Sequence, residues 1–252
     1  TESTLTLQDN AEMTVNASEG LGISGPRGTS DPGGKATLIV RDAASFRVEQ
    51  YLALGTGNQA TTSDGTLEVR GPDASVSIGG NLNMAVDPDG QVPTTDGGEG
   101  DPVPGKATLN AVISASTHST VQVEGIARIA QGILKVTLDD YTPVGGEVFT
   151  LIQGGTVEGE FRETDYTEAE LANGLSWELE YDPDAVRLTV AGGPQETTIS
   201  IRRVGDEIEL SWDGGGNLEQ AAAVTGPWVV VPEATSPYTA QPTESAAYFR
   251  VR

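Results

Sequence analysis

Apolar residues recur at every second position over most of the chain. Ala11, Met13 and Val15 share a parity, as do Leu38 with Val40, Phe46 with Val48, and Leu52 with Leu54. The spacing returns in Leu67 and Val69, Val76 and Ile78, Leu82 through Val86, Leu109 through Ile113, and Leu134 through Leu138. Side chains alternate across a strand, so each set lines one face of a half-buried strand. The expected fold class is all-β.

The phrase GKATLIV at 34–40 returns as GKATLNAV at 105–112, and DGTLEVRGPDASVSIGGNLNM between them echoes ATLIVRDAASFRVEQYLAL. Units this small cannot bury an apolar face alone, and weak self-similarity at a few tens of residues is the mark of stacked repeats. The pattern predicts a β-solenoid stalk, with residues 86–105, rich in Asp, Pro and Gly, as an excursion from the stack. One short helix is expected in TEAELANG, where Thr167 and Glu170 make a capping box and Gly174 a left-handed stop. LSWELEYDPDAVRLTV then reads as a hairpin turning at DPDA. AGGPQETT at 191–198 reads as a boundary. It separates a solenoid domain with its cap hairpin, 1–193, from a small β-sandwich-like module, 194–252.

Composition sharpens this picture. The 32 Gly, 14 Pro and 5% aromatic residues suit short strands and tight turns. Asp and Glu total 37 against 14 Lys and Arg, a net charge of −23, so nucleic acid and anionic membrane surfaces are repelled. Only Lys35, Lys106 and Lys135 are lysines, and such an acidic surface stays soluble in salty water. The absence of Cys excludes disulfides and thiolate chemistry. No apolar run approaches the roughly 20 residues of a membrane span. A start at Thr1 fits a processed, exported protein.

The order VQVEGIARIAQGILKVTLDDYTPVGGEVFTLIQGGTVEGEF followed by GLSWELEYDPDAVRLTV resembles the end of the autotransporter-like β-solenoids of bacterial secreted and surface proteins. Gly132 to Leu138, Pro143 to Leu151, Gly159 to Phe161 and Trp177 to Tyr181 carry the likeness. It implies the last coils and their cap. The tail resembles a small β module that closes such proteins. Leu210, Trp212, Leu218, Gln220, Gly226, Pro227, Trp228, Pro237, Tyr238, Phe249 and Arg250 carry that second likeness. Neither resemblance brings a catalytic motif or a cofactor.

Candidate chemistry is sparse. The single histidine, His118, stands beside Ser116 and Ser119, but strand neighbours point to opposite faces, so it reads as a polar strand or loop residue. Glu158, Glu160, Glu163 and Asp165 crowd as glycosidase carboxylates do, yet acids are frequent here and a solvated acidic edge is expected. Asp87, Asp89 and Asp96, with Glu99 and Asp101, are the calcium candidates. They lack the D-x-D-x-D-G spacing and distal Glu, and an unliganded loop is expected. Trp212, Trp228, Tyr238 and Phe249 are expected to be core in so small a module.

The resulting expectation is a noncatalytic extracellular or cell-surface protein with a structural or adhesive role. Its partners are copies of itself, through the alternating N-terminal stretch TESTLTLQDNAEMTVNA, assembling into filaments or matrix. The alternative is a carbohydrate-binding accessory module that holds polysaccharide on Trp228 and Tyr238.

Overall fold

The computed structural model describes residues 2–18, 20–24, 34–55, 63–86, 105–172, 174–192, 199–212, 216–241 and 247–252. Among them every regular element is a β-strand, so the protein is all-β. The chain divides into two compact units, Thr1–Gly193 and Pro194–Arg252.

In the first unit, β1 (Glu2–Leu7), β4 (Lys35–Arg41), β7 (Asp64–Arg70), β10 (Lys106–Ile113), β12 (Gly132–Leu138) and β14 (Glu163–Glu168) form a six-stranded sheet in that order. Every neighbouring pair in it is parallel. A second sheet contains β2 (Glu12–Val15), β5 (Ser45–Val48), β8 (Ser75–Ile78), β11 (Val121–Arg128) and β13 (Val148–Glu158), also paired in parallel. A shorter parallel ladder, β3 (Leu21–Ile23), β6 (Leu52–Leu54) and β9 (Leu82–Met84), joins that sheet through the end of β11. The chain visits the three ladders in turn and returns one strand further along.

The repeated phrases of the sequence are neighbours in space. ATLIV of β4, GTLEV of β7 and ATLNA of β10 lie side by side, with Lys35 opposite Asp64 and Asp64 opposite Lys106. Leu5, Leu38, Leu67, Leu109 and Leu134 therefore share one register position. Met13, Phe46, Val76, Val121 and Ile152 form the matching column of the second sheet, and Leu21, Leu52 and Leu82 that of the third ladder. A slip of one residue would turn every side chain of a strand outward, so the buried columns lock the register.

The outward face of the six-stranded sheet carries a connected polar network. Arg70 pairs with Glu68 and Asp139, both at 2.9 Å, and the Asn110 amide donates to Glu68 at 3.0 Å. The Thr137 hydroxyl donates to Asn110 at 3.2 Å, and Lys135 pairs with Glu168 at 2.9 Å. Exposed pairs contribute little singly, but this network ties four consecutive strands.

At its far end the unit changes direction. β15 (Leu175–Asp182) and β16 (Ala185–Gly192) form the expected hairpin, with Trp177 opposite Val190 and Leu179 opposite Leu188, and β16 pairs antiparallel with β13. The Trp177 ring stacks on Tyr166 and tilts against Phe149, both at 6.2 Å, while its Nε1 donates to the Ala169 carbonyl at 2.8 Å. The Phe161 amide donates to the Tyr181 hydroxyl at 3.2 Å.

The short helix expected over 167–174 is not formed. β14 continues through Glu168, held by its pairing with β12, and the Asp165 carboxylate accepts from the Thr167 amide (3.0 Å) and hydroxyl (2.7 Å). Gly174 does adopt positive φ, but in a turn closed by the Leu175 amide on the Ala172 carbonyl. A two-turn helix is marginal on its own, and strand pairing supplies contacts that its capping box cannot match.

The segment 143–161 serves as the corner and strand beneath this hairpin. Glu147 accepts from the Val144 amide at 3.0 Å and from the Tyr141 hydroxyl, whose pKa is pushed up to about 12 by burial and by that bond. In β13, Gly154 and Gly155 sit at the register shift against β11. A Cβ on Gly155 would lie 1.6 Å from the Gly125 carbonyl oxygen, and one on Gly154 would lie 2.1 Å from that of Val123.

In the second unit β17 (Ile199–Val204), β18 (Glu207–Trp212) and β21 (Tyr238–Ala240) make one antiparallel sheet; β19 (Leu218–Ala221), β20 (Val229–Val230) and β22 (Tyr248–Val251) make another. Leu210, Trp212 and Leu218 form its core.

Gly155→Ala is expected to destabilise the protein by on the order of 3 kcal/mol, because backbone and not a flexible side chain blocks the new methyl group. Denaturant unfolding checks this. A change below about 0.5 kcal/mol would show that the strand moves aside freely.

Candidate functional site

The reactive groups singled out in the sequence are not assembled into a centre. His118 Nε2 lies 3.1 Å from the Val69 carbonyl oxygen, and its Nδ1 is sealed from solvent without a hydrogen-bond partner. Burial pushes the pKa of the ring down, so it stands neutral. The Ser119 hydroxyl is likewise buried without a partner, while Ser116 is exposed. Among the described residues no acid orients the ring, which a triad requires.

Of the acidic cluster, Glu160 and Glu163 are exposed, while Glu158 and Asp165 have partners. Glu158 pairs with Arg128 at 3.2 Å. Asp165 is held below the usual carboxylate range by its bond from the Thr167 hydroxyl, and Glu168 by its bond from Lys135. A general acid needs the opposite shift. Asp87, Asp89 and Asp96 lie outside the described residues.

Trp228 and Tyr238 lie in different parts of the second unit, Trp228 outside any strand and Tyr238 in β21. Tyr238 packs against the core as the first residue of β21. Trp228, half-buried just before β20, is not part of that core; the Arg250 guanidinium lies over its ring at 4.4 Å, held by Glu219 at 2.6 Å. Beside β20 a groove of about 450 Å³ is lined by Ala222, Pro227, Val229, Val230, Pro232 and Ala247, and Val229 is 66% exposed. The sequence offered one sign of it: Val229, Val230 and Val231 run consecutively, without the alternation that buries a strand on one face.

At the start of the first unit a buried apolar column reaches solvent. β1, β2 and β3 are the outer strands of all three ladders, on the same side. Leu5 is 47% exposed, whereas Leu38, Leu67, Leu109 and Leu134 in the same column are 3% exposed or less. A cavity of about 250 Å³ opens there, lined by Leu5, Met13, Leu21, Ile23, Leu38 and Phe46 among others. The N-terminal stretch is not one long strand: β1 and β2 are separated by a turn in which Asp9 has φ 60°. Among the described residues no layer covers the apolar columns at this end, and no strand pairs with the outer side of β1.

His118 gives a pH signature. Its pKa is lowered on folding, so the unfolded chain binds more protons; the stability present above about pH 6.5 falls as pH drops below the unfolded value. His118→Gln, which keeps a donor for Val69 and does not titrate, is expected to lose less stability between pH 7.5 and 5.5 than the parent. Equal losses in urea unfolding would contradict this. Trp228→Ala is expected to cost about 1 kcal/mol, the scale of an exposed cation–π contact, against about 3–5 kcal/mol for the core Trp212→Ala. Equal costs would place Trp228 in the core.

No protein-family model matches the chain, and no curated protein or solved structure matches it. The functional reading rests on this geometry.

Proposed function

We propose that the first unit is a β-solenoid and that the chain has a noncatalytic structural or adhesive role outside the cell or on its surface. The observation that carries this reading is the set of three in-register parallel ladders, ending at an apolar edge that no other described residue covers. Such a stack gives a stiff body whose stability comes from neighbour-to-neighbour layers, and its end is a surface made for association. The acidic, lysine-poor surface supports an aqueous, saline setting. His118, Glu158 and Asp165 are committed to local contacts, which supports a role without turnover.

Carbohydrate binding by the second unit is the second reading, favoured by the position of Trp228 outside the core. Arg250 covers part of the ring that a sugar would need, which weighs against it.

The test incubates the purified chain with bacterial envelope material and insoluble polysaccharides, measuring retention and glycoside, ester and peptide hydrolysis together. Saturable retention on envelope material without hydrolysis, unchanged in Trp228→Ala, is the expected result. Retention confined to polysaccharide and lost in Trp228→Ala would favour the second reading, and sustained hydrolysis would overturn both.

A further inference from the structure

Where the described strands place two charged residues opposite one another, they pair an acid with a base at every position but one. Lys35 stands between Glu2 and Asp64, Asp64 between Lys35 and Lys106, Arg128 opposite Glu158 and Lys135 opposite Asp165. Glu180 opposes Arg187, Arg202 opposes Glu209 and Glu219 opposes Arg250. The exception is Arg41 of β4, which lies directly opposite Arg70 of β7. Neighbouring strands are about 4.8 Å apart, and like charges at that spacing repel. A chain with 37 acids and 14 Lys and Arg could readily have set an acid there. A local rule broken at one position and kept elsewhere marks a site under another demand.

The two arginines line a polar pocket of about 250 Å³ on the outward face of the six-stranded sheet, together with Thr6, Gln8, Ile39 and Glu68. Its one acid is already engaged: Glu68 gives one carboxylate oxygen to Arg70 at 2.9 Å and the other to the Asn110 amide at 3.0 Å. Arg70 is held by Asp139 as well, also at 2.9 Å. Arg41 is less neutralised. Its Nη2 donates to the Gln8 amide oxygen, and Asp42 lies 3.7 Å from an Nε that has no hydrogen-bond partner. The Arg41 side chain is 39% exposed, so a ligand can reach it. The lining is therefore rich in donors, from Arg41, Thr6 and Gln8, while its acid is spent. A guanidinium meets a carboxylate through two parallel N–H···O bonds, which makes this the chemistry of an oxyanion site. The pocket is larger than a bare carboxylate group, and Ile39 gives an apolar wall to the body that carries one.

We propose that Arg41 and Arg70 hold the carboxylate of a small hydroxylated acid in this pocket, with Thr6 and Gln8 meeting its hydroxyl groups. The net charge of −23 permits this, because at about 0.15 M salt charges beyond about 8 Å are screened and the contacting groups decide. The same charge restricts the ligand to a small one, since a polyanion would meet the rest of the acidic surface. The pocket is distinct from the cavity at the edge of the ladders, and it stands or falls independently of the structural role.

Titration of the isotope-labelled full chain with galacturonate, galactose and acetate, followed by NMR in about 0.15 M NaCl, tests this. Galacturonate is expected to bind once per chain with a Kd on the order of 1 mM, moving the amide signals of Gln8, Arg41 and Arg70. Galactose lacks the carboxylate and acetate lacks the hydroxylated body, so each is expected to bind at least about tenfold more weakly. Arg41→Gln should weaken galacturonate binding at least about tenfold, whereas Arg47→Gln, in β5 of the other sheet, should leave it unchanged. The melting temperature of Arg41→Gln should stay within about 2 °C of the parent, because an exposed ion pair contributes little. If that variant unfolds, Gln8→Ala decides, with an expected loss of about threefold. Absence of galacturonate binding up to about 20 mM, equal affinity for galactose or acetate, or binding that Arg41→Gln leaves intact would each overturn the proposal.

Discussion

Parallel pairing in register carries side-chain parity from one strand to the next, and the first unit is built on that constraint. Once Leu38 faces inward, Leu67, Leu109 and Leu134 must do so as well, because each lies opposite the last. Burying a leucine contributes about 2 kcal/mol, so a column of four outweighs any single local preference. The same constraint places residues 68, 70, 110, 135 and 137 outward, where they assemble the polar network across β7, β10 and β12. One register thus fixes both the core and the charged face.

Period-two alternation was legible because it follows directly from strand geometry, and the parities read from Leu38 to Leu138 correspond to buried columns. The hairpin at 175–190 was legible for the same reason, with a Pro-Asp turn between two alternating runs. TEAELANG misled because capping signals are local, while the pairing of β14 with β12 comes from residues some 30 positions earlier. Gly154 and Gly155 gave no reason in sequence for their presence; the reason is a carbonyl of the neighbouring strand, visible only once β11 and β13 are side by side. The candidate surface was half legible: alternation showed β1, but not the turn at Asp9 or the cavity shared with β2 and β3. The groove beside β20 had only one sign in the sequence, the run of three valines, and that run reads equally well as a buried strand.

The sparse chemistry of the chain has a physical explanation. A strongly acidic protein must place many carboxylates, and here they serve as partners for its few cations: Arg70 takes Glu68 and Asp139, Arg128 takes Glu158, and Lys135 takes Glu168. His118 is neutral and tied to a carbonyl. What stands apart, among the described residues, is an apolar surface beside a strand edge, and the proposed associating role starts from it.

An edge that waits for a partner should also be the least protected part of the ladder. Amide hydrogen exchange, followed residue by residue at low and high protein concentration, measures this most directly. The account predicts fast exchange along β1 and β3, slow exchange in β7, β10 and β11, and protection of β1 that rises with concentration. Slow exchange in β1 at every concentration, or faster exchange in β15 and β16 than in β1, would contradict a unit that is closed at one end and open at the other.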